Sequence, residues 1–469
     1  MTAASAPPRR AFAVWWKDLE RWVIPTSLLL RQALPPGWKR VRLRELLRQA
    51  DARVKADAET EYKMAGVKWY GEGVFHRETV RGDGMSANHV TPLVPGALIY
   101  NRLFAWKASF AVVPPELGDC FVSNEFPQFA ADSHRLLPDY LYLFCTRETT
   151  VRAVNAASTG SAAVSRNRFK EEHFLSFEIP LPPLAEQAAI VARWREAQTQ
   201  IAAARARVKK VEIEIQRRFL ADLGLKLAEL QQLPKVFAVS WTDFERWGVA
   251  FNQQAIAGLN PEAGKYPVAR LGETIADLEN GWSPQCLSRP AEGEEWGVLK
   301  LGAVSFGLFN DAENKALPPS LKPIPALEVK QGQVLMSRAN IPRLVGACAL
   351  VTETRPRLLL CDKIFRAAFR KESPIEPTYL AEVMKIPPLR RQIEAACTGT
   401  SATMQNITKP ALLALRLPLP PLPVQREIVA RVQTGRAEIT RERAAAARLT
   451  REITAEIEAQ ILGTQPAKS

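Results

Sequence analysis

From Leu184 onward the chain loses glycine and proline for a long run. Apolar or small residues fall at Ile190, Trp194, Ala197, Ile201, Ala204, Val208, Val211 and Ile215. The steps alternate four and three, the spacing of a coiled-coil seam. The same steps recur at Ile428, Val432, Gly435, Ile439, Glu442, Ala446, Leu449 and Ile453, with the seam weakened at Gly435 and Glu442. Arg, Lys, Glu and Gln fill the other faces. The pattern predicts two long helices that pack against each other, and a helix of about forty residues spans roughly 60 Å, enough to hold two globular modules apart. Elsewhere the period shortens. "GALIYNRL", "ASFAVVP" and "DCFVSNEF", then "WGVLKLG", "GQVLMSR", "ACALVTE" and "KIFRAAF", are apolar, β-branched runs bounded by turns and read as strands. Helical stretches flank them, "PDYLYLFCTRETTVRAVNA" and "EPTYLAEVMKIPPLRRQIEAA", so the modules are expected to be α/β (α+β).

These segments come in duplicate and in the same order. "FAVWWKDLERW" (12–22) returns as "FAVSWTDFERW" (237–247), "VRLREL" from Val41 as "ARLGET" from Ala269, and "GALIYNR" (96–102) as "GQVLMSR" (332–338). "PDYL" (138–141) returns as "PTYL" (377–380), and Gly160 and Gly399 sit in similar small-residue loops. Each series closes on one phrase, "IPLPPLAEQAAIVARW" (179–194) and "LPLPPLPVQREIVARV" (417–432). Its prolines stiffen an extended exit and then admit a helix start, and Pro423 replaces Ala185 in the first turn, where a missing N–H costs little. A polyproline ligand is the competing reading of "PLPPL". Trp16, Trp241, Trp22 and Trp247 read as core anchors. The divisions expected are a first module (1–182), a first long helix (183–224), a second module (225–420), a second long helix (421–463) and a tail (464–469). Between landmarks the halves diverge: "YGEGVFHRETVRGDGMSANH" has no partner in the second half. A shared scaffold with different loops suits two binding modules of different specificity.

Charge sharpens this. Lys and Arg number 63 against 49 Asp and Glu, a net charge of +14, which favours a polyanionic partner. The six cysteines lack CxxC spacing and the four histidines all lie in the first half, which argues against a structural zinc site or a disulfide framework and for reduced thiols in a cytosolic protein. The apolar start is cut by Lys17, too soon for a signal peptide, and no stretch reaches membrane-span length.

A search for catalytic motifs finds no phosphate loop, HExxH or nucleophile elbow. Asp311 with Glu328-Val329-Lys330 faintly matches a D…ExK metal pattern, without an equivalent in the first half. The matched strand ends are the better candidates. Tyr100, Asn101 and Arg102, with Lys107 beyond, correspond to Met336, Ser337 and Arg338, with Asn340 and Arg343 beyond. Asn and Arg can read adenine and guanine edges or hold a phosphate, though an Arg satisfying loop carbonyls fits the pattern as well. Arg166, Arg168 and Lys170 form a basic segment suited to phosphate.

The duplicated "PLPPLxxQxxIVAR" phrase, the long helices, "YNRLFAWKASFAVVPPELGDCFVSNEFPQF" and "SRANIPRLVGACALV" together resemble the specificity (S) subunit of type I restriction–modification systems, over about residues 12–463. That resemblance implies two target-recognition domains, each reading half of a bipartite, asymmetric double-stranded DNA target. It implies an antiparallel helix pair that spaces the half-sites and docks two methyltransferase (M) subunits. Such a chain is no enzyme and holds no cofactor or metal. S-adenosylmethionine, ATP and Mg²⁺ belong to the M subunits and to a restriction (R) subunit where one exists. In this chain the helix-pairing and docking positions are Ile190, Trp194, Ile201, Val208, Val211, Ile215, Ile428, Val432, Ile439, Leu449 and Ile453. A modification enzyme with an unrecognised site, and a scaffold that binds no DNA, remain open as alternatives.

Overall fold

A proline inside a strand gives no N–H to a neighbour, so it belongs where one side of the strand is unpaired. Strand Glu178–Leu181 pairs on one side, antiparallel with Lys39–Arg42, and sets Pro180 opposite Arg40. Arg416–Pro418 does the same with Val268–Arg270, setting Pro418 opposite Val268. Each proline carbonyl instead accepts a buried phenol: Tyr140 donates to Pro180 O at 2.8 Å and Tyr379 to Pro418 O at 2.9 Å. Burial drives both phenols well above the usual tyrosine range. The computed structural model describes residues 34–50, 52–85, 88–158, 168–225, 238, 264–398 and 404–466. The repeated phrases 12–22 and 237–247 with their four tryptophans, apart from Ala238, and Arg166, Gly160 and Gly399 lie outside the described residues.

Inside that strand pair each half carries the same four-stranded antiparallel sheet. The first runs Leu47–Gln49, Gln128–Ala131, Leu98–Tyr100, Phe110–Val112; the second runs Asp277–Asn280, Ile364–Ala368, Val334–Ser337, Cys348–Leu350. Helices Pro138–Thr146 and Pro377–Val383 contribute to the cores of these two frames. The first core is aromatic, with Tyr100 set among Phe110, Phe129, Phe169 and Phe174; the second is mainly aliphatic around Met336, Phe365 and Leu380. The duplication read from the sequence is therefore a duplication of fold, and the α+β expectation holds in both halves. What differs is the addition. The first half adds a five-stranded sheet ordered Val54–Lys55, His89–Pro92, Phe121–Val122, Glu61–Val67, Val74–Arg81. The second adds a three-stranded sheet of Asn314–Ala316, Gly297–Leu299 and Leu358–Leu359.

The two long helices run Leu184–Asp222 and Leu422–Ile461. Each begins directly after the paired prolines of the phrase, and a fully buried glutamine fastens the start to its own module. Gln187 Oε1 accepts from Leu137 N at 2.9 Å while Nε2 donates to Arg135 O at 2.8 Å and Pro182 O at 2.9 Å. Gln425 repeats all three bonds, with Glu376 N at 2.9 Å, Pro374 O at 2.8 Å and Pro420 O at 2.7 Å.

The compact units cut across these helices: one comprises residues 1–204 and 445–469, the other 205–444. In the first, Ile190, Val191 and Ala197 pack in one core with Ile453, Ile457 and Ile461, and Arg193 pairs with Glu456 at 3.1 Å. In the second, Phe219 and Leu220 share a core with Ile428, Val429 and Val432, while Arg207–Glu442 and Asp222–Arg431 pair at 2.8 Å. Residue numbers rise along one helix as they fall along the other, so the pair is antiparallel. Ile201, Ala204, Val208 and Ile439 are buried as the seam requires; Val211, Ile215 and Leu449 are half-buried. Trp194, also half-buried, turns to its own module and meets Tyr142 at 5.5 Å between ring centroids.

The expected weakness at Gly435 and Glu442 is corrected by the packing. A Cβ on Gly435 would lie 2.7 Å from Ile215 Cδ1, so the missing side chain is the hole that Ile215 fills. Glu442 is half-buried under its Arg207 partner. Gly435→Leu is expected to destabilise by about 1–2 kcal/mol, overpacking outweighing the gain in helix propensity. Ile215→Ala should recover most of that loss, and a denaturant double-mutant cycle with no coupling between the two sites would contradict this packing.

Candidate nucleic-acid interface

The matched strand ends are placed alike in both halves. Phe169 N donates to Arg102 O at 3.0 Å, and Ile407 N donates to Arg338 O at 2.9 Å. The side chains there divide into two sets. Tyr100 has no exposed surface; its ring lies parallel to Phe129 with centroids 6.1 Å apart, and its hydroxyl points to Phe169 O at 3.4 Å. Ser337 is equally buried and donates to Ala339 O at 3.2 Å. Both are corrected here from contact candidates to core residues: the apolar run continues one residue further inward than the polar letters suggest.

Asn101 and Asn340 are each 9% exposed and hold their own turns, Asn101 Oδ1 accepting from Leu103 N and Asn340 Oδ1 from Ile341 N, both at 2.9 Å. Arg102 is tied down in two directions, by a two-pronged pair with Glu171 and by donation to Asn124 O. Arg338 reaches Asp362 O at 3.4 Å and lies 5.7 Å from the Phe365 ring. These four side chains brace loops; for the two arginines that is the competing role that the sequence leaves open.

The second set faces outward. Arg168, Lys170 and Arg343 are exposed, Arg168 in an ion pair with Glu125. Lys107 is half-exposed with its Nζ 3.6 Å from the centroid of the Trp69 ring. Cations at the surface can meet phosphates without giving up a buried partner. Sequence reasoning passed over Trp69 and Tyr70, which are 41% and 71% exposed. Their only signal was an aromatic pair between Lys68 and Gly71 in a stretch without a repeat partner.

The D…ExK pattern resolves into backbone caps: Asp311 accepts from Arg355 N at 2.9 Å and Glu328 from Arg357 N at 2.8 Å. Among the described residues, no three His, Cys, Asp or Glu side chains gather as a metal site, and no helix is long and apolar enough to cross a membrane.

All six cysteines are unpaired. Burial pushes the thiol of Cys348 up to about 12 and those of Cys361 and Cys397 up to about 11, and it raises Cys145 further. A thiol reagent at pH 8 is therefore expected to label the half-exposed Cys286 first and to leave Cys145 and Cys348 untouched until unfolding. Mass spectrometry of the native chain checks this, and early labelling of Cys145 would contradict it.

The fold and surface define a duplicated α+β protein with an antiparallel helix pair and basic loops. Residues 35–212 match the family described as the type I restriction modification DNA specificity domain. The specificity subunit of the type I restriction enzyme EcoEI from Escherichia coli is 34% identical over 165 residues, 35% of this chain and 28% of that protein. That of EcoKI from E. coli strain K12 is 26% identical over 282 residues, 60% of this chain and 55% of that protein. The matches thus span about half or less of these curated relatives. A solved chain from a study of assembly and conformational transition in a type I R-M system shares the fold, with TM-score 0.55 and 19% identity over 92% of this chain and 100% of that one. Over residues 35–212 the chain is thus similar to the DNA specificity domain of type I restriction–modification systems.

Proposed function

We propose that the chain is the non-catalytic reader of a bipartite, asymmetric double-stranded DNA target and that it directs methyltransferase subunits to that target. One observation carries this reading: a single frame occurs twice with the same strand order, and each copy bears a different inserted sheet. Two identical modules would read a symmetric site; two modules alike only in their frame read different half-sites. The net charge of +14 suits the polyanion. The partners are two M subunits docked along the paired helices and, where the system includes it, an R subunit. S-adenosylmethionine, ATP and Mg²⁺ reside on those partners. The cytoplasm, where unpaired thiols persist, is the expected location.

Binding of the assembled complex to duplex DNA is expected to fall linearly in log K against log salt. Lys170→Ala and Arg343→Ala should each reduce that slope by about 1 and weaken all sequences equally. Titration by fluorescence anisotropy at several salt concentrations tests this, and a salt-independent affinity would defeat the DNA-reading proposal.

A further inference from the structure

The turn at Lys68–Gly71 lies between the two long strands of the added sheet in the first half, and nothing in the repeated frame accounts for it. Tyr70 is 71% exposed and sits in the left-handed region at φ 56°, ψ 29°. Ala108, on the facing segment, is also left-handed at φ 53°. Neither residue is glycine, so each conformation costs free energy that the surroundings must impose. The surroundings are visible. Gly71 N donates to Ala108 O at 2.9 Å, and Tyr142 of helix Pro138–Thr146 donates its hydroxyl to Gly71 O at 2.8 Å. A Cβ on Gly71 would fall 2.7 Å from that hydroxyl, so the turn is fastened directly to the core helix.

On this pedestal four rings and a cation gather. Trp69 contacts Phe104 at 5.2 Å and stands edge-on to Tyr70 at 6.5 Å. Lys107 Nζ lies 3.6 Å from the Trp69 ring and 5.0 Å from the Trp106 ring, whose indole is fixed on Leu103 O. Trp69 thus has one face under an ammonium. Tyr70 has no other ring contact among the described residues and is largely exposed to solvent. A strained backbone that holds an exposed ring beside the Trp69–Lys107 pair, with Lys68 two residues before it and its Nζ 5.8 Å from the Phe75 ring, fits a ligand that is flat, aromatic and anionic nearby.

We infer that Tyr70, carried on the Trp69–Lys107 cluster, is a stacking surface for an unstacked base in the half-site that the first module reads. The inference rests on the DNA-reading proposal and adds to it a specific contact and a local distortion of the duplex. Stacking needs only a ring face and works on any base, while the lysines meet the flanking phosphates. Among the described residues the second module has no counterpart of the Lys68–Gly71 turn, so the distortion that depends on Tyr70 is confined to one half-site.

The test uses the complex of the full chain with its methyltransferase subunits, and a duplex carrying the methylation motif mapped beforehand in cells. 2-Aminopurine replaces each adenine of the motif in turn. Tyr70→Asn removes the ring with a residue that tolerates the left-handed turn, and Tyr70→Phe keeps the ring. The wild type and Tyr70→Phe should bind with a fluorescence rise at a position within one half-site. Tyr70→Asn should lose that rise and bind the motif duplex about 5- to 150-fold more weakly, with unchanged affinity for a scrambled duplex. Unchanged affinity and fluorescence in Tyr70→Asn would overturn the inference. So would weaker binding with no fluorescence rise at any position in the wild type, which would make the ring a contact to something other than a base. A wild-type complex that does not distinguish motif from scrambled duplex would instead overturn the DNA-reading proposal beneath it.

Discussion

Gln187→Leu lowers the stability of the chain by about 2–4 kcal/mol, because it strands three backbone groups at once, one buried and two partly buried. The leucine fits the volume but offers no partner to Leu137 N, Arg135 O or Pro182 O. Gln187→Glu does not rescue: a carboxylate can accept from Leu137 N but cannot donate to two carbonyls. Gln425→Leu is expected to cost a similar amount through Glu376 N, Pro374 O and Pro420 O. Gln200, on the same helix but exposed and bonded only to Glu196 at 3.3 Å, is the control, and its replacement should change stability by less than about 0.5 kcal/mol. Urea denaturation measures all four variants. If Gln187→Leu matched the Gln200 control, the glutamine would not be the fastening of module to helix.

The second large effect is on sequence choice. Replacing residues 271–415 with the corresponding segment of another family member keeps strands Val268–Arg270 and Arg416–Pro418, Gln425 and both long helices. The expected result is a methylation motif changed completely in one half and unchanged in the other half and in the number of unread bases between. This follows because the exchanged segment holds every strand by which the second module differs from the first. A motif altered in both halves would mean that the modules do not read independently.

How much of this was legible beforehand differs by element. The helix pair was, because a four-three alternation of apolar residues survives any change on the outer faces. The repeat of the fold was, because landmarks such as "PDYL" and "PTYL" mark the same buried tyrosine on the same proline carbonyl. Gly435 is misleading in the sequence: a glycine in a seam weakens a lone helix, and only the position of Ile215 on the partner turns it into a fitted hole. The glutamines stand in plain view as a polar letter repeated inside the phrase, as Arg193 and Arg431 are, but three hydrogen bonds to backbone elsewhere leave no pattern in a linear chain.

The site was harder. Tyr100 and Ser337 look like strand-end polar residues, yet the sheet is covered on both faces there and their hydroxyls turn inward. Arg102 is spent on Glu171, nearly seventy positions away in the chain. Trp69 and Tyr70 become a surface only when the turn at Gly71 meets Ala108, and that apposition depends on two left-handed residues that no periodicity announces.

Single-molecule methylation sequencing of cells that carry the methyltransferase subunits, with and without this chain, shows whether the chain chooses the target. Adenine methylation is expected only with the chain present, at one asymmetric motif of two short defined halves separated by a fixed number of unread bases. Methylation at the same positions without the chain, or at a single contiguous palindrome, would contradict it.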